Sequence, residues 1–161
     1  MKQLAALCGI LIALTGVAMA QSDDPTPGRE LSELIYGSID SNPSESVDLG
    51  QFVEFGREVF VSMDSDQDAY VDMSEFSRWD FGFNFIAEDD GRQVSYETAQ
   101  RILFAIWDHN ADGQIDRSEY NKSMLWDFRR ADLNSDAFLT RDEFLGGYIV
   151  IRAYRAAITN Q

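Results

Sequence analysis

One cysteine stands among 161 residues, and it is Cys8, inside an apolar stretch at 4–17. A disulfide framework is excluded, and so is a thiolate nucleophile anywhere beyond that stretch. Basic residues are few: 13 Lys and Arg face 28 Asp and Glu, a formal charge of −15. Such a surface repels a phosphate backbone, and no basic patch offsets it, so nucleic acid is excluded as a partner. Histidine is represented by His109 alone.

Lys2 supplies a short positive region, 4–17 an apolar core, and Ala18-Met19-Ala20 a small-residue cleavage site before Gln21. The run is short for a membrane span, and a polar stretch with Pro25 and Pro27 follows it, so 1–20 reads as a cleaved signal peptide rather than a buried or spanning helix. Cleavage would leave no cysteine and no stable membrane span. It would also remove Lys2 from the 13 basic residues, leaving 12 against 28 acidic ones. The expected location is the periplasm or the exterior, where core packing and bound metal replace disulfides.

What the chain has in abundance is acid at fixed intervals. Three twelve-residue segments, 64–75 (DSDQDAYVDMSE), 108–119 (DHNADGQIDRSE) and 132–143 (DLNSDAFLTRDE), carry Asp or Asn at positions 1, 3 and 5, an aliphatic at 8, Asp or Thr at 9, and Glu at 12. A hard cation takes six to eight oxygens, and this spacing lets one short loop supply them: side chains at 1, 3, 5 and 9, the carbonyl of 7, and both oxygens of the final Glu. The pattern continues outside the loops. Phe60, Phe104 and Phe128 stand four residues before position 1, and Phe76, Tyr120 and Phe144 directly follow position 12. Val71, Ile115 and Leu139 at position 8 suit a short strand bridge between facing loops.

Over residues 49–157 the chain therefore resembles the EF-hand superfamily of calcium binders, calmodulin-like in its hands and of an exported bacterial type. The resemblance implies an all-α fold, a helix-loop-helix bundle of about five helices with short loop–loop strand bridges. It implies Ca2+ as the bound ion. The ligands would be Asp64, Asp66, Asp68, the Tyr70 carbonyl, Asp72 and Glu75 in loop one. Loop two would use Asp108, Asn110, Asp112, the Gln114 carbonyl, Asp116 and Glu119. Loop three would use Asp132, Asn134, Asp136, the Phe138 carbonyl, Thr140 through water, and Glu143. Glu at position 12 throughout favours calcium over magnesium, because its long bidentate arm suits the larger ion. Position 6 wants a positive φ, which Gly113 provides freely and which costs Ala69 and Ala137 about 1–2 kcal/mol each. The expected order of affinity is loop two, loop one, loop three. Without metal the clustered carboxylates repel one another, so the metal-free state should be looser.

The segment 21–47 reads as a tether with a short helix at 30–39, its Leu31, Leu34 and Ile35 on one side, broken again around Pro43. The hand domain is expected at 48–158, opening with Asp48 as a helix N-cap. Apolar residues at helical spacing mark its helices: Phe52, Phe55, Val59, Phe60 and Met63; Phe76, Trp79, Phe83 and Ile86; Ala99, Ile102, Leu103, Ile106 and Trp107; Leu125 and Phe128; and Leu145 to Tyr154. Between loops one and two, 87–98 has the outline of a vestigial loop with Val94 at position 8, or else is an ordinary linker. The helix between loops two and three would be roughly 20 Å long and would hold those loops at opposite ends. Alternate loops would then pair, Val71 with Ile115 and Val94 with Leu139, in one interleaved bundle; two separate lobes are the competing arrangement.

The function expected is non-catalytic calcium binding, as an exported buffer or a calcium-stabilised binding protein. The alternative is a sensor that opens an apolar groove for a protein partner when calcium-loaded. After residue 20 there are three methionines against eleven phenylalanines, a composition that favours fixed packing over an adaptable groove. An enzyme is disfavoured, since nearly every clustered acid already belongs to a loop and His109, at position 2 of loop two, is expected to face water. A dockerin-like module is disfavoured too, because apolar helices enter loops two and three.

Overall fold

The computed structural model describes residues 26–39 and 46–159. The stretch read as a signal peptide lies outside them. Eight helices and four three-residue strands follow in the order α1 (Pro27–Ile39), β1 (Ser46–Asp48), α2 (Leu49–Met63), β2 (Tyr70–Asp72), α3 (Met73–Arg78), α4 (Phe83–Asp89), α5 (Gln93–Trp107), β3 (Gln114–Asp116), α6 (Arg117–Ala131), β4 (Phe138–Thr140), α7 (Arg141–Gly147) and α8 (Ile149–Ile158). The fold is all-α with short antiparallel strand pairs, and it has more than the five helices expected: α1 adds one, the apolar run 76–86 splits into α3 and α4 before Gly82 (φ 100°), and the last run splits at the extended Tyr148 into α7 and α8. No helix among the described residues is long and apolar enough to cross a membrane.

Four helices begin on the same device. Asp48, Asp72, Asp116 and Thr140 each accept a hydrogen bond from the backbone N–H three residues on, and Gln51, Glu75, Glu119 and Glu143 reach back to the cap's own N–H. Each reciprocal pair satisfies two donors that a helix start leaves free. In the three loops the pair is formed by positions 9 and 12, so the end of each loop and the start of the next helix are one structure.

The long helices α2 and α6 pack along each other, and α5 packs along α8. At the α2–α6 crossing Gly56 lies against Met124, where an added Cβ would come within 2.5 Å of the methionine Cε. One end of the core is aromatic around Phe52, whose ring meets Phe128, Phe144 and Tyr148 edge-on. The other end gathers Phe60, Phe76, Phe104, Trp107 and Tyr120. Helix α6 is continuous, so loops two and three lie at opposite ends of it.

The strand pairing follows from that separation. β2 pairs with β3, placing Val71 opposite Ile115 as alternate pairing requires. β4 pairs with β1, placing Leu139 opposite Val47. The expected Val94–Leu139 pair is therefore corrected: Val94 lies on α5 and is 77 % exposed. The segment 87–98 is a helical corner, in which Gly91 takes φ 65° and the Arg92 N–H donates to the Ala87 carbonyl at 2.6 Å. The Arg92 guanidinium ties this corner to the end of α8 through the carbonyls of Ala157 and Thr159.

The segment read as a tether carries both α1 and β1. Pro27 opens α1, where its missing N–H costs nothing and its fixed φ suits the first turn. Ile35, Tyr36 and Ile39 are buried from this helix, whereas Leu34 points outward. Ile102 and Ile106 of α5 also face outward; the buried face there is Tyr96, Ala99, Leu103, Phe104 and Trp107.

Candidate metal centre

Each loop leaves a long helix at position 1 and enters the next helix at position 9, so fixed elements hold both ends. Between them the backbone turns through two left-handed residues: Gln67 and Ala69 (φ 63° and 73°), Ala111 and Gly113 (60° and 88°), Ser135 and Ala137 (60° and 67°). The second of each pair is the position 6 expected from the sequence. The first, at position 4, is an additional strain that no glycine signals.

Side-chain oxygens organise this turn. Asp64, Asp108 and Asp132 at position 1 each accept from the N–H of position 6, at 3.2, 2.9 and 3.0 Å. Position 3 accepts from the N–H of position 5, as Asp66 does from Asp68, Asn110 from Asp112 and Asn134 from Asp136. Asp68, Asp112 and Asp136 at position 5 accept from the N–H of Tyr70, Gln114 and Phe138. The final glutamates close each loop: Glu75 Oε1 accepts from Ser65 and Asp66, Glu119 Oε1 from Asn110, and Glu143 Oε1 from Leu133. The side chains expected as ligands thus brace the backbone of their own loops, and the carboxylates seen to converge are those of Asp64, Asp66 and Asp68.

Loop one concentrates the charge. One oxygen from each of Asp64, Asp66 and Asp68 can be chosen so that all three lie within 4.8 Å of one another. Asp64 is buried, and its Oδ1 has no hydrogen-bond partner. In the other two loops the amides of Asn110 and Asn134 donate to Asp112 and Asp136 at 3.0 Å each, relieving part of the same repulsion. A buried carboxylate oxygen with no donor, beside two more carboxylates, fits a hard divalent cation and little else. Two of the loop glutamates, Glu75 and Glu143, are also held ionised. Burial works against the charge of Glu75, but hydrogen bonds from the Asp72 N–H, the Ser65 hydroxyl and N–H, and the Asp66 N–H outweigh it and lower its pKa. At Glu143 the Thr140 N–H is the main cause of a similar lowering.

The residues 101–125, which cover the end of α5, all of loop two and the first turns of α6, match the family model for the EF hand. The chain carries an EF hand. No curated protein matches it. An EF hand implies calcium binding, and this hand contains the best-formed of the three loops, with glycine at the second left-handed position.

Around this hand, His109 departs from expectation. It is half-buried rather than turned out to water: its Nε2 lies 3.1 Å from the Ser123 hydroxyl and its ring packs on Trp126 at 5.2 Å. The indole N–H of Trp107, directly before loop two, donates to the buried Asp127 carboxylate at 3.2 Å. Burial pushes Asp127 up to about 6, against the opposing pull of Trp107 and Arg130. Nothing in the sequence marks that carboxylate as buried.

A further hand-like frame went unread in the sequence. Taking Val47 as position 8, as its pairing with Leu139 requires, puts Tyr36 four residues before position 1, Asp48 at position 9, Gln51 at position 12 and Phe52 just after it. The aromatic frame seen around the three acidic loops recurs here. Its position 12 is an amide, Gln51, so the closing carboxylate that marks the other three loops is missing here.

Proposed function

We propose that this protein is an exported, non-catalytic calcium binder that holds one ion in each of the loops 64–75, 108–119 and 132–143. The observation that carries the reading is the threefold recurrence of one loop geometry, one member of which matches the EF-hand model. Asp64, Asp66, Asp68, Asp72 and Glu75 would hold the first ion with the Tyr70 carbonyl. Asp108, Asn110, Asp112, Asp116 and Glu119 would hold the second with the Gln114 carbonyl. Asp132, Asn134, Asp136, Thr140 and Glu143 would hold the third with the Phe138 carbonyl. The bound cation would neutralise carboxylates that otherwise repel one another.

A buffering or stabilising role suits the packing. Met63 and Met124 are buried and the core is built from edge-on aromatic rings, which favour one fixed arrangement over an adaptable groove. Export is supported by the sequence of 1–20. A second reading, a sensor with a protein partner, draws on the exposed row Val94, Ile102 and Ile106 of α5. The two are separated by small-angle scattering and by binding of an apolar dye with and without calcium. A buffer keeps its dimensions and dye binding on loading; a sensor gains apolar surface.

A further inference from the structure

Leu139 of loop three has a strand partner that belongs to none of the acidic loops. That partner matches the other strand pair residue for residue. Ser46 faces Thr140, Val47 faces Leu139 and Asp48 faces Phe138, just as Tyr70 faces Asp116, Val71 faces Ile115 and Asp72 faces Gln114. In both pairs position 7 meets 9 and position 8 meets 8. The helix start is shared as well: the Gln51 N–H donates to Asp48 at 2.8 Å and the Asp48 N–H to Gln51 Oε1 at 2.9 Å, the pattern of Asp72 with Glu75 and Asp116 with Glu119. The flanking aromatics complete the match. Tyr36 packs on Phe144 at 5.4 Å and donates to the Leu139 carbonyl at 3.1 Å, while Phe52 meets Phe128 and Phe144.

We infer that Ser46–Gln51 are the closing half of a fourth hand-type frame that counts from 40 in the sequence, retained as the strand partner of loop three and stripped of its grip on metal; 40–45 lie outside the described residues. Two residues account for the loss. In the three acidic loops one oxygen of the final glutamate accepts from the N–H of position 9, and the other accepts from the N–H of position 2 or 3, or of both in loop one. Gln51 keeps the first contact through its Oε1. Its second atom is an NH2 group, which cannot accept from an N–H and cannot ligate a cation. The second residue is Pro43, which falls at position 4 of this frame. Its ring excludes the positive φ that Gln67, Ala111 and Ser135 adopt at that position.

The loop starts in this frame are 40, 64, 108 and 132. The chain is then two copies of one unit, in which a single long helix (α2 or α6) joins two loops 24 residues apart. Each unit's first loop pairs with the other unit's second. Loops one and two form a pair of metal-holding loops. Loop three pairs with a strand that needs no metal, so its site is set independently of the others.

The inference rests on the reading that the three acidic loops hold calcium, and the test separates the two. Calcium bound per metal-stripped full chain would be counted by native mass spectrometry for the wild type, for Glu143→Gln, and for the triple variant Pro43→Asn, Ser44→Asp, Gln51→Glu. The expected counts are three, two and four. A wild type that takes up no calcium overturns the three-loop reading. A wild type at three with the triple variant also at three overturns the fourth hand alone, as does a wild type already at four. The contact between Val47 and Leu139, followed by NMR in metal-free wild type, gives a readout that needs no variant to fold. Its persistence without calcium supports a metal-independent brace; its loss on stripping overturns one.

Discussion

The two ends of this bundle use one strand register for different purposes. At one end Val71 meets Ile115, and both strands belong to acidic loops. At the other Leu139 meets Val47, and one of the two strands carries Gln51 where a ligating glutamate would stand. The backbone geometry is the same, so strand pairing does not depend on metal ligands. Whether a site is coupled to another depends on what lies across the strand. On the proposed reading, the first end would couple two calcium sites and the second would hold one site apart.

The largest effects should come from removing the central aliphatics. Ile115→Ala and Leu139→Ala each empty a fully buried position and should cost about 2–5 kcal/mol in thermal or denaturant unfolding. The comparison is sharpened by calcium: Ile115→Ala should weaken loops one and two together, Leu139→Ala only loop three. Equal weakening of all three sites by both variants would erase the distinction between the ends.

Glu119→Gln comes next. Loss of a bidentate carboxylate should weaken loop two roughly 100-fold, about 2.7 kcal/mol. It should weaken loop one several-fold through the Val71–Ile115 pair and leave loop three unchanged in a calorimetric titration.

Asp127 lies between the ends, buried beneath Trp107. Its folded pKa of about 6 lies above the ordinary 3.8, so its stabilising contribution is complete below about pH 4 and lost as pH rises through about 6. Asp127→Asn keeps an oxygen for the Trp107 N–H. It should stabilise the protein at pH 8 by about 2–3 kcal/mol and by almost nothing at pH 4, read from unfolding at the two pH values. A gain that does not depend on pH would contradict the assignment.

The smallest effect is at the turns. Ala69→Gly and Ala137→Gly release backbones held at φ 73° and 67°. Each should tighten its own site by about 1 kcal/mol or less, partly offset by the freer unfolded chain. Gly113→Ala should do the reverse at loop two.

The acidic loops were legible because a cation site needs particular atoms at fixed offsets, and Asp64 to Glu75 cannot be mistaken for a solvated run once Phe60 and Phe76 bracket it. The pairing of Val71 with Ile115 followed from the length of α6. The partner of Leu139 was not legible, because Gln51 stands where the closing glutamate belongs and Pro43 interrupts the pattern, although Asp40, Asn42, Val47 and Asp48 keep their places between Tyr36 and Phe52. Val94 then looked like the missing position 8, although it lies on the outer face of α5. Ile102 and Leu34 show the same limit: helical spacing marks an apolar residue without saying which side of its helix is covered. The buried Asp127 is a product of tertiary packing and leaves no trace in local sequence.

The most direct test of the account is a calorimetric titration of calcium into the metal-stripped chain over a magnesium background. Three ions per chain are expected, two taken up cooperatively and one independently. No uptake, or three ions bound at equal and independent sites, would contradict it.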